Sequence, residues 1–566
     1  MRAAQSVATL TVSLALLLAS PAQGGGPSVT LGPSGLVCAG DAITPDLVIE
    51  GWIPGELQGA TLMVPFGVAA GTTQVRLRYC WEDGHTLDLG FWQSPEKGKE
   101  WKPADFRGWG GSSHPDVTLS PQGFSSEAEY LAEPKGYVPG RTTRGFLPGP
   151  LPPGTWAAEL GVGAVLSAED GDDDGAMAFR LEFARSDDPA FAADPYVPAP
   201  YSSDPVRTGP GWYTGDMHVH AEHSALGDAT MTEVFDFAFR PIADGGAGLD
   251  FVTLSDYVTT SAWDEIGRHQ TLYPDRLIIR SSEVITYEGH LNNHASVAYT
   301  DHRAGPLYEM REGGKLKRLR KSRAPKKMLK DIQKAGGWTQ LNHVATCPSS
   351  EPFCVRTCRG CPWDYSNKKT KFKKVDAIEV ASGPAQLFGD TNLFSLAAIA
   401  FWEEQLAEGG RIAAVGSSDS HRAGRTDSGT QSPIGTAATV VYAAELSEQG
   451  IAEGVRAGHT YVKLFGSAAP DVRFEARAGA EPTVWIMGDE VKARDVEFTA
   501  RVLGVPDGAL FTLHLLKDGV LGVGIPVSAG DSEIVYPSSG KGRYRLELRR
   551  GEEIHVLTTP IWLKQN

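Results

Sequence analysis

The stretch GDMHVH at residues 215–220 places two histidines one residue apart near the end of a short apolar run. Because side chains alternate along a strand, His218 and His220 would point to the same side and could hold one ion together. Further acid-and-histidine clusters follow at residues 254–257 (LSDY), 282–290 (SEVITYEGH), 341–343 (LNH) and 416–421 (GSSDSH). Their recurrence predicts one metal site assembled from distant segments.

The segments around these clusters indicate the fold class. Short apolar runs, bracketed mostly by turn or polar residues and typical of buried parallel strands, lie at residues 249–254, 277–279, 377–380 and 412–415. Helical patterns lie at residues 232–239, 325–335 (opening with a proline) and 393–407. Strand, polar cluster and helix in this order predict an α/β barrel, whose chemistry gathers at the carboxyl ends of its strands. All five clusters would then lie on one rim.

The order and spelling of the motifs resemble the PHP superfamily, named for polymerase-associated and histidinol-phosphatase domains, over roughly residues 212–463. Within it, the likeness is to the carbaryl-hydrolase-like (CehA/McbA) metallohydrolases. This finer likeness depends on Glu283 with GHLN at 289–292, on GSSDSH at 416–421 and on RAGHTYV at 456–462. The resemblance implies a distorted seven-stranded PHP-type β/α barrel.

The resemblance also implies a set of metal ligands. One ion would be held by His218, His220, Glu283 and Asp419. Glu283 would bridge to a second ion held by His290 and His343. Imidazole and carboxylate ligands suit Zn²⁺, Mn²⁺ and Fe alike, so the predicted cofactors are two divalent ions of one of these metals.

One departure from the family pattern is in the second cluster, which reads SDY at residues 255–257 where many relatives have Thr-Asp-His. A histidine that helps to hold a third ion in trinuclear relatives is missing, so we expect two ions. Asp256 would be a ligand or a partner that orients a histidine. The candidate substrate contacts are Tyr257, through a hydrogen bond, and His223, His294 and Arg422. The two histidines would contact metal or substrate, or else have a packing or surface role.

Two cations a few ångströms apart lower the pKa of a bridging water and neutralise charge on the attacked atom. The resemblance therefore implies hydrolysis by a metal-bridging hydroxide, with Glu283, Asp419 and His421 as catalytic residues. His421 would be a ligand or a proton carrier, and the general acid is expected among His421, His294 and Arg422. A phosphoester is the default substrate, while carbamate, amide and carboxylic ester bonds stay open to the same nucleophile. The alternative of another class is a non-catalytic exported binding protein with a degenerate metal site.

The amino terminus predicts export. Residues 1–24 combine a short charged start, an apolar run at 7–18 and small residues suited to cleavage, which is typical of a signal peptide. The apolar run is too short to span a bilayer, and no later stretch of about 20 apolar residues follows. We expect a periplasmic or secreted protein without a transmembrane segment.

Cysteine usage agrees with an oxidising compartment and predicts three disulfides. The six residues form two groups: Cys38 and Cys80, then Cys347, Cys354, Cys358 and Cys361. The spacing of the last three also matches radical-SAM iron–sulfur ligands, and four clustered cysteines could hold zinc. Export, and a position just after His343, favour disulfides that brace a loop beside the site, and the pairing within the second group stays open.

A chain of 566 residues predicts more than one domain. Residues 28–193 show short strands between Gly- and Pro-rich turns, which indicates a β-sandwich, and residues 194–211 form a Pro-rich linker. The barrel would occupy residues 212–463, and residues 464–566 would form a second sandwich. Both flanks also resemble those of the carbaryl-hydrolase-like proteins, through FRGWGGS at 106–112 and TPIW at 559–562.

The formal net charge of −16 favours solubility and argues against general nucleic-acid binding. Residues 315–330 and 368–374 are locally basic and flank the motif that carries His343. They would either draw anionic substrates toward the metals or form a solvated surface. The expected partner is a small-molecule or polymer-linked ester, and no nucleic acid.

Overall fold

The structure, a computed structural model, describes residues 27–96, 100–132, 136–166, 175–348, 354, 358, 360–427, 431–479, 482–494, 496–537 and 540–564. Within this part of the chain the fold is mixed α/β and mostly strand. The predicted signal peptide, residues 1–24, lies outside the described residues.

The amino-terminal region is built from two facing sheets. Its strands are β1 (Thr30–Leu31), β2 (Leu47–Pro54), β3 (Thr61–Val68), β4 (Gln74–Trp81), β5 (Thr86–Trp92), β6 (Phe106–Gly111), β7 (Asp116–Leu119), β8 (Gly154–Ala164) and β9 (Ala176–Ser186). One sheet has the order β1-β2-β9-β4-β7, and the other contains β3-β8-β5-β6. Leu77 and Phe179 of the first sheet share one apolar core with Leu62 and Leu160 of the second. This shared core makes the two sheets a sandwich.

The central region carries the strands that surround the candidate site. They are β10 (Gly211–Val219), β11 (Phe251–Leu254), β12 (Leu277–Thr286), β13 (Gly289–His294), β14 (Leu307–Met310), β15 (Leu316–Arg320), β16 (Trp338–Leu341), β17 (Ala377–Ser382), β18 (Gln386–Leu387), β19 (Asp390–Thr391), β20 (Ala413–Ser417), β21 (Ala438–Ala443) and β22 (Thr460–Lys463). Most of them form one sheet with the order β20-β17-β16-β13-β12-β11-β10-β21-β22. By contrast, β14 and β15 extend the amino-terminal sheet, where β14 pairs in parallel with β3.

The central sheet has two parallel parts joined by one antiparallel strand. The strands β10, β11 and β12 are parallel neighbours, as are β16, β17 and β20. Between them, β13 is antiparallel to both β12 and β16. Only residues 287–288 connect β12 to β13, and so short a connection permits a hairpin but no parallel crossover. The four apolar runs therefore form parallel pairs as expected, whereas the strand that carries His290 is reversed.

Helices cover the segments between strands. They are α1 (Glu127–Ala132), α2 (Met231–Phe239), α3 (Trp263–Gln270), α4 (Pro325–Lys334), α5 (Asn367–Thr370), α6 (Leu393–Ala407) and α7 (Glu448–Ala457). The three helices expected from sequence correspond to α2, α4 and α6, the last with the same bounds. Thr230 caps α2, because its hydroxyl oxygen accepts a hydrogen bond from Glu233 N. The Glu233 carboxylate in turn accepts a hydrogen bond from Thr230 N.

The carboxyl-terminal region returns to strands. They are β23 (Asp471–Ala478), β24 (Trp485–Ile486), β25 (Glu490–Lys492), β26 (Val496–Val505), β27 (Phe511–Lys517), β28 (Val520–Val527), β29 (Gly530–Pro537), β30 (Gly542–Arg550), β31 (Glu553–Thr558) and β32 (Ile561–Lys564). The central sheet continues from β22 into β31-β30-β27-β28, and a sheet of order β24-β23-β26-β29 faces it. Phe474 and Phe498 of that sheet pack with Leu546 and Val556. Among the described residues, no helix has the length and apolarity to cross a membrane.

Candidate metal centre

Four of the predicted ligands meet in one group, the first ligand group. Their ligand atoms lie within 4.8 Å of one another in His218, His220, Glu283 and Asp419. Asp419 Oδ1 is 3.3 Å from His218 Nε2 and 3.1 Å from His220 Nε2. Glu283 Oε2 is 3.2 Å and 3.5 Å from the same two nitrogens. Two imidazole nitrogens and two carboxylate oxygens therefore face one point, as the ligands of a tetrahedral ion do.

Glu283 also faces a second ligand group through its other oxygen. Glu283 Oε1 lies 3.2 Å from His290 Nδ1 and 3.1 Å from His343 Nε2. The side chains of His290, His343 and Cys361 bring their ligand atoms within 4.8 Å of one another. Each carboxylate oxygen of Glu283 thus faces a different pair of histidines, which is the arrangement of a carboxylate that bridges two ions.

Main-chain contacts join the first and last motifs. Asp419 N donates to His218 O at 2.9 Å, and His220 N donates to Ser420 O at 2.9 Å. The sheet therefore curls until the segment after β20 lies beside β10. Asp419 itself has a φ of 52°, a left-handed conformation that is uncommon for a residue other than glycine and concentrates at functional sites.

Asp216, inside the opening GDMHVH stretch, holds this junction together. Its Oδ1 accepts from Ser418 N at 3.1 Å, and its Oδ2 accepts from Gly435 N at 2.8 Å. Burial raises the pKa of Asp216 to about 6 despite these hydrogen bonds. We had not expected a role for Asp216, although an acid within an apolar strand end was a usable signal.

In three of the histidine ligands, the ring nitrogen that faces away from the carboxylates, Nδ1, contacts a protein partner. His218 Nδ1 lies 3.2 Å from Glu379 Oε1, and His220 Nδ1 lies 3.0 Å from Ser224 Oγ. His343 Nδ1 donates to Cys361 O at 3.0 Å. The carboxylate of Glu379 and the carbonyl of Cys361 can only accept, so His218 and His343 carry a proton on Nδ1 and direct Nε2 toward the carboxylates, as metal-binding histidines do.

Glu379 is a second residue of the site that sequence patterns missed. It is fully buried on β17, and its Oε2 accepts from His343 N at 2.5 Å while its Oε1 faces His218. Glu379 therefore contacts one histidine of each ligand group, His218 through its side chain and His343 through its main chain. A single acid in the apolar run 377–380 was the available signal, because an ionised side chain in a buried strand needs partners.

The electrostatics of the site favour positive charge at His218 and His343. Burial alone would lower the pKa of His218, but Asp419 and two glutamates outweigh it and raise this pKa well above its ordinary value. Burial also opposes a charge on His343, but Glu283 raises its pKa to about 9. At His220, by contrast, burial and the charge of His421 lower the pKa to about 3. Burial would raise the pKa of Glu283, yet the charge of His218 and hydrogen bonds hold it well below its ordinary value, so this buried carboxylate is ionised and needs a cation nearby.

Two buried ligand atoms indicate whether these residues could bind a metal ion. His218 Nε2 and Glu283 Oε2 face each other, and neither has a hydrogen-bond partner within the described residues. A buried polar atom without a partner costs about 1–3 kcal/mol, so both should be satisfied in the working protein. Both atoms are of the kinds that bind transition metals, so the donor set fits divalent ions.

His421 and Tyr257 form a pair at the edge of the first ligand group. His421 Nδ1 lies 3.0 Å from Asp419 O, and Tyr257 OH lies 2.8 Å from His421 Nε2. The His421 ring stacks on His220 with centroids 4.0 Å apart. His421 thus contacts both a ligand histidine and Tyr257, while its Nε2 is directed to the phenol.

Asp256 lies outside both ligand groups and contacts the main chain that follows His220. Its Oδ1 accepts from Ala221 N at 2.8 Å, its Oδ2 has no hydrogen-bond partner among the described residues, and it is in neither ligand group. Burial raises the pKa of Asp256 well above its ordinary value. In this structure Asp256 positions the loop after His220.

The other candidate substrate contacts lie apart from the ligand groups. His223 contacts Ser261 Oγ at 2.8 Å and Arg144 Nη1 at 3.0 Å. His294 stacks on Trp338 with centroids 4.0 Å apart, and burial lowers its pKa to about 3. Arg422 pairs with Asp427 at 2.8 Å.

A cavity of about 70 Å³ opens onto the ligands. Besides His290, His343 and Asp419, its walls are Trp109, Ala225, Leu226, Tyr257, Ile285, Cys358 and Cys361. Trp109 comes from β6, so the amino-terminal sandwich closes one side of the site. No lysine or arginine of the described residues lines this cavity.

The three expected disulfides are present. They join Cys38 to Cys80, Cys347 to Cys354, and Cys358 to Cys361. The last of these lies in the cavity wall.

Comparisons with known proteins add the following. No family model matches this chain, and no curated protein matches it in sequence. Among solved structures it is similar to a two-domain protein from Bacteroides vulgatus described as containing a predicted PHP-like metal-dependent phosphoesterase, at 18% identity, a TM-score of 0.33, and 64% and 97% coverage of this chain and that one. It is also similar to the lesion-specific endonuclease PfuEndoQ from Pyrococcus furiosus, at 13% identity, a TM-score of 0.26, and 45% and 58% coverage. Because both TM-scores are below 0.5, these similarities support no conclusion about the fold or function of this chain.

Proposed function

We propose that this chain is an exported hydrolase that uses two divalent metal ions, in a PHP-like barrel of the carbaryl-hydrolase type flanked by two β-sandwiches. The observation that carries the proposal is the position of Glu283, whose two oxygens each face a separate pair of histidine nitrogens at 3.1–3.5 Å. An ion pair needs only one cationic partner for the carboxylate, whereas a carboxylate that bridges two ions has further ligands of a separate ion beside each of its oxygens.

The proposed ligands follow from this geometry. One ion would be held by His218, His220, Asp419 and Glu283 Oε2, and the other by His290, His343 and Glu283 Oε1. Divalent ions held there would supply Lewis-acid activation of water and of the scissile bond.

The residues around the ligands have separate tasks in this proposal. Glu379 keeps His218 and the main chain of His343 in place. His421 and Tyr257 form the proton-handling pair, because Tyr257 lines the cavity and its OH lies 2.8 Å from His421 Nε2. A proton could pass between this pair and the leaving group.

The cavity wall is largely apolar, with Trp109, Ala225, Leu226 and Ile285 beside the ligands. The proposed substrate is a phosphoester. An apolar wall also fits the uncharged part of a carbamate, amide or carboxylic ester, which is the second candidate, because metal-activated water can attack either kind of bond.

The test uses mature protein expressed with export intact, with its mass compared with that of a chain cleaved near residue 24. Metal content is measured, and turnover of an aryl phosphodiester, an aryl phosphomonoester and an aryl carbamate is followed before and after chelation. We expect about two ions per chain and chelator-sensitive turnover of at least one of these three esters.

Asp419→Asn should lose turnover with the fold kept. Two bound ions with no turnover of any of the three esters, and no effect of Asp419→Asn on ligand binding, would favour the exported binding protein. Less than one ion after supply with zinc, manganese or iron would contradict the metal site itself.

A further inference from the structure

The Cys358–Cys361 disulfide lies where a metal ligand could lie. Cys361 is 4% exposed, and its sulfur is within 4.8 Å of the ligand nitrogens of His290 and His343. Both cysteines line the cavity over the ligands. The main chain of Cys361 is already tied to the site, because its carbonyl accepts from His343 Nδ1 at 3.0 Å.

The two ligand groups differ in their number of donors. The first offers four protein atoms, which is enough for a tetrahedral ion. The second offers three, namely Glu283 Oε1 and one nitrogen each from His290 and His343. The sulfur of Cys361 is a fourth donor at this group, but a disulfide sulfur is a poor ligand compared with a thiolate.

We propose that reduction of the Cys358–Cys361 bond makes the Cys361 thiolate the fourth ligand of the second ion, so that the redox state controls the affinity of that ion. The inference rests on the proposed two-ion site. It adds a sulfur ligand and makes the second site selective for thiophilic metals when reduced.

The exchange step requires a dithiol reductant. A thiolate of the dithiol attacks Cys358, the more exposed of the two residues, and the Cys358–Cys361 bond breaks to release the Cys361 thiolate. The second thiol of the dithiol then closes its own disulfide and expels Cys358. Two electrons move from the dithiol to the protein. Of the two protons, one ends on Cys358, and the other goes to solvent.

Gly360 fixes the main chain directly before Cys361. It lines a neighbouring cavity of about 380 Å³, whereas Cys361 lines the cavity over the ligands. Gly360 has a φ of 89°, and a β-carbon there would lie 2.5 Å from Tyr287 C and 2.7 Å from Thr286 O. Gly360 is therefore packed closely against the β12–β13 hairpin, which keeps Cys361 beside His290 after the bond is broken.

The test follows cobalt(II) in the full-length mature protein. The oxidised protein and protein reduced with dithiothreitol, then freed of it under nitrogen, are each titrated with Co²⁺, and the near-ultraviolet sulfur-to-cobalt charge-transfer band is recorded. We expect the band in the reduced protein alone. Since loss of even an outer partner changes metal affinity about 10–100-fold, the second ion should bind at least about tenfold more tightly after reduction.

Variants separate the cysteines. Cys358→Ser should show the band without reductant, Cys361→Ser should lose it in either state, and the double variant Cys347→Ser/Cys354→Ser should respond to reduction like the unchanged protein. Two cobalt ions bound by reduced protein without the band would overturn this inference and leave the proposed function intact. No cobalt binding in either state would overturn both. Chemical reduction of the unchanged protein supplies the answer if a variant does not fold.

Discussion

Two buried clusters of carboxylates and histidines flank the turn that follows His220, and they differ in their source of positive charge. The first is formed by the two ligand groups around Glu283. The second, the arginine cluster, consists of Arg144, Glu222, His223 and Glu265. The chain uses the same residue types in both.

In the arginine cluster the cation belongs to the protein. Arg144 of the amino-terminal sandwich is 5% exposed and donates to both Glu265 Oε1 and His223 Nε2. Its guanidinium also lies 3.8 Å from Glu222 Oε1. Burial and the charge of Arg144 lower the pKa of His223 well below its ordinary value, so this imidazole is neutral and accepts the hydrogen bond.

Among the described residues, the ion-pair partners of Glu283 are histidines, with no arginine or lysine. The pKa of His218 is raised well above its ordinary value, whereas burial lowers the pKa of His220 to about 3. In the arginine cluster, Arg144 neutralises the acids, so the cluster needs no metal ion. A group of acids and histidines therefore indicates a metal site only where no arginine or lysine of the protein pairs with the acids.

The largest effect is expected from Glu283→Gln. The amide cannot bridge two ions, so we expect metal content to fall well below two per chain and turnover to fall on the order of a thousandfold. Metal analysis and the rate on the preferred ester measure this. Glu288→Gln, an exposed neighbour on the hairpin, is the control and should change neither. Full metal retention by Glu283→Gln would refute the bridging role.

Arg144→Met should destabilise the fold without removing metal. Loss of one partner from a buried ionic group costs about 3–5 kcal/mol, because Glu265 is left buried without its cation. The free energy of unfolding is measured by denaturant titration of metal-loaded protein. Arg185→Met, which breaks a partly exposed pair with Asp46, should cost less than about 1 kcal/mol. If folded Arg144→Met protein bound less metal than the unchanged protein, the two clusters would not be independent.

Glu379→Gln should weaken metal binding while leaving every ligand in place. Loss of a carboxylate that orients a metal-binding histidine typically reduces metal affinity about 10–100-fold, and Glu379 contacts His218 directly. Competition with a chromophoric chelator gives the dissociation constants. The exposed Glu453→Gln is the matched control. Unchanged affinity in Glu379→Gln would mean that His218 is oriented by its surroundings alone.

Tyr257→Phe should have the smallest effect. It removes the hydrogen bond to His421 Nε2, which is worth about 0.5–1.5 kcal/mol and so lowers turnover up to about tenfold. Metal content should stay at the unchanged level. Tyr196→Phe, beside Glu265 in the arginine cluster, should leave turnover unchanged. A loss of metal in Tyr257→Phe would instead give Tyr257 a place among the ligands.

Local patterns predicted a large part of the fold. The helix over residues 393–407 has the expected bounds, and the runs at 249–254 and 377–380 form buried strands. The reversal of β13 was not predicted, because residues 287–288 lack the Asn or Gly that usually signals a tight hairpin.

Candidate ligands were predictable where neighbouring residues spell a recognisable motif. Two histidines in GDMHVH and an acid in GSSDSH are such cases, and the structure brings them together. Glu379 and Arg144 were not predictable in this way, because each stands alone in its segment. The histidines that their side chains contact, His218 and His223, lie 161 and 79 residues away along the chain.

By itself, the sequence determined which side chains can bind a cation and which strands carry them, because residue type and the alternation of side chains are local properties. Only the tertiary structure decided that Glu283 faces two histidine pairs, that His223 accepts from Arg144, and that Cys361 lies beside His343. Those outcomes depend on how the sheet curls and on which segment fills the space next to each charge. A buried charge is satisfied by whichever partner the fold brings within a few ångströms, whatever its distance along the chain.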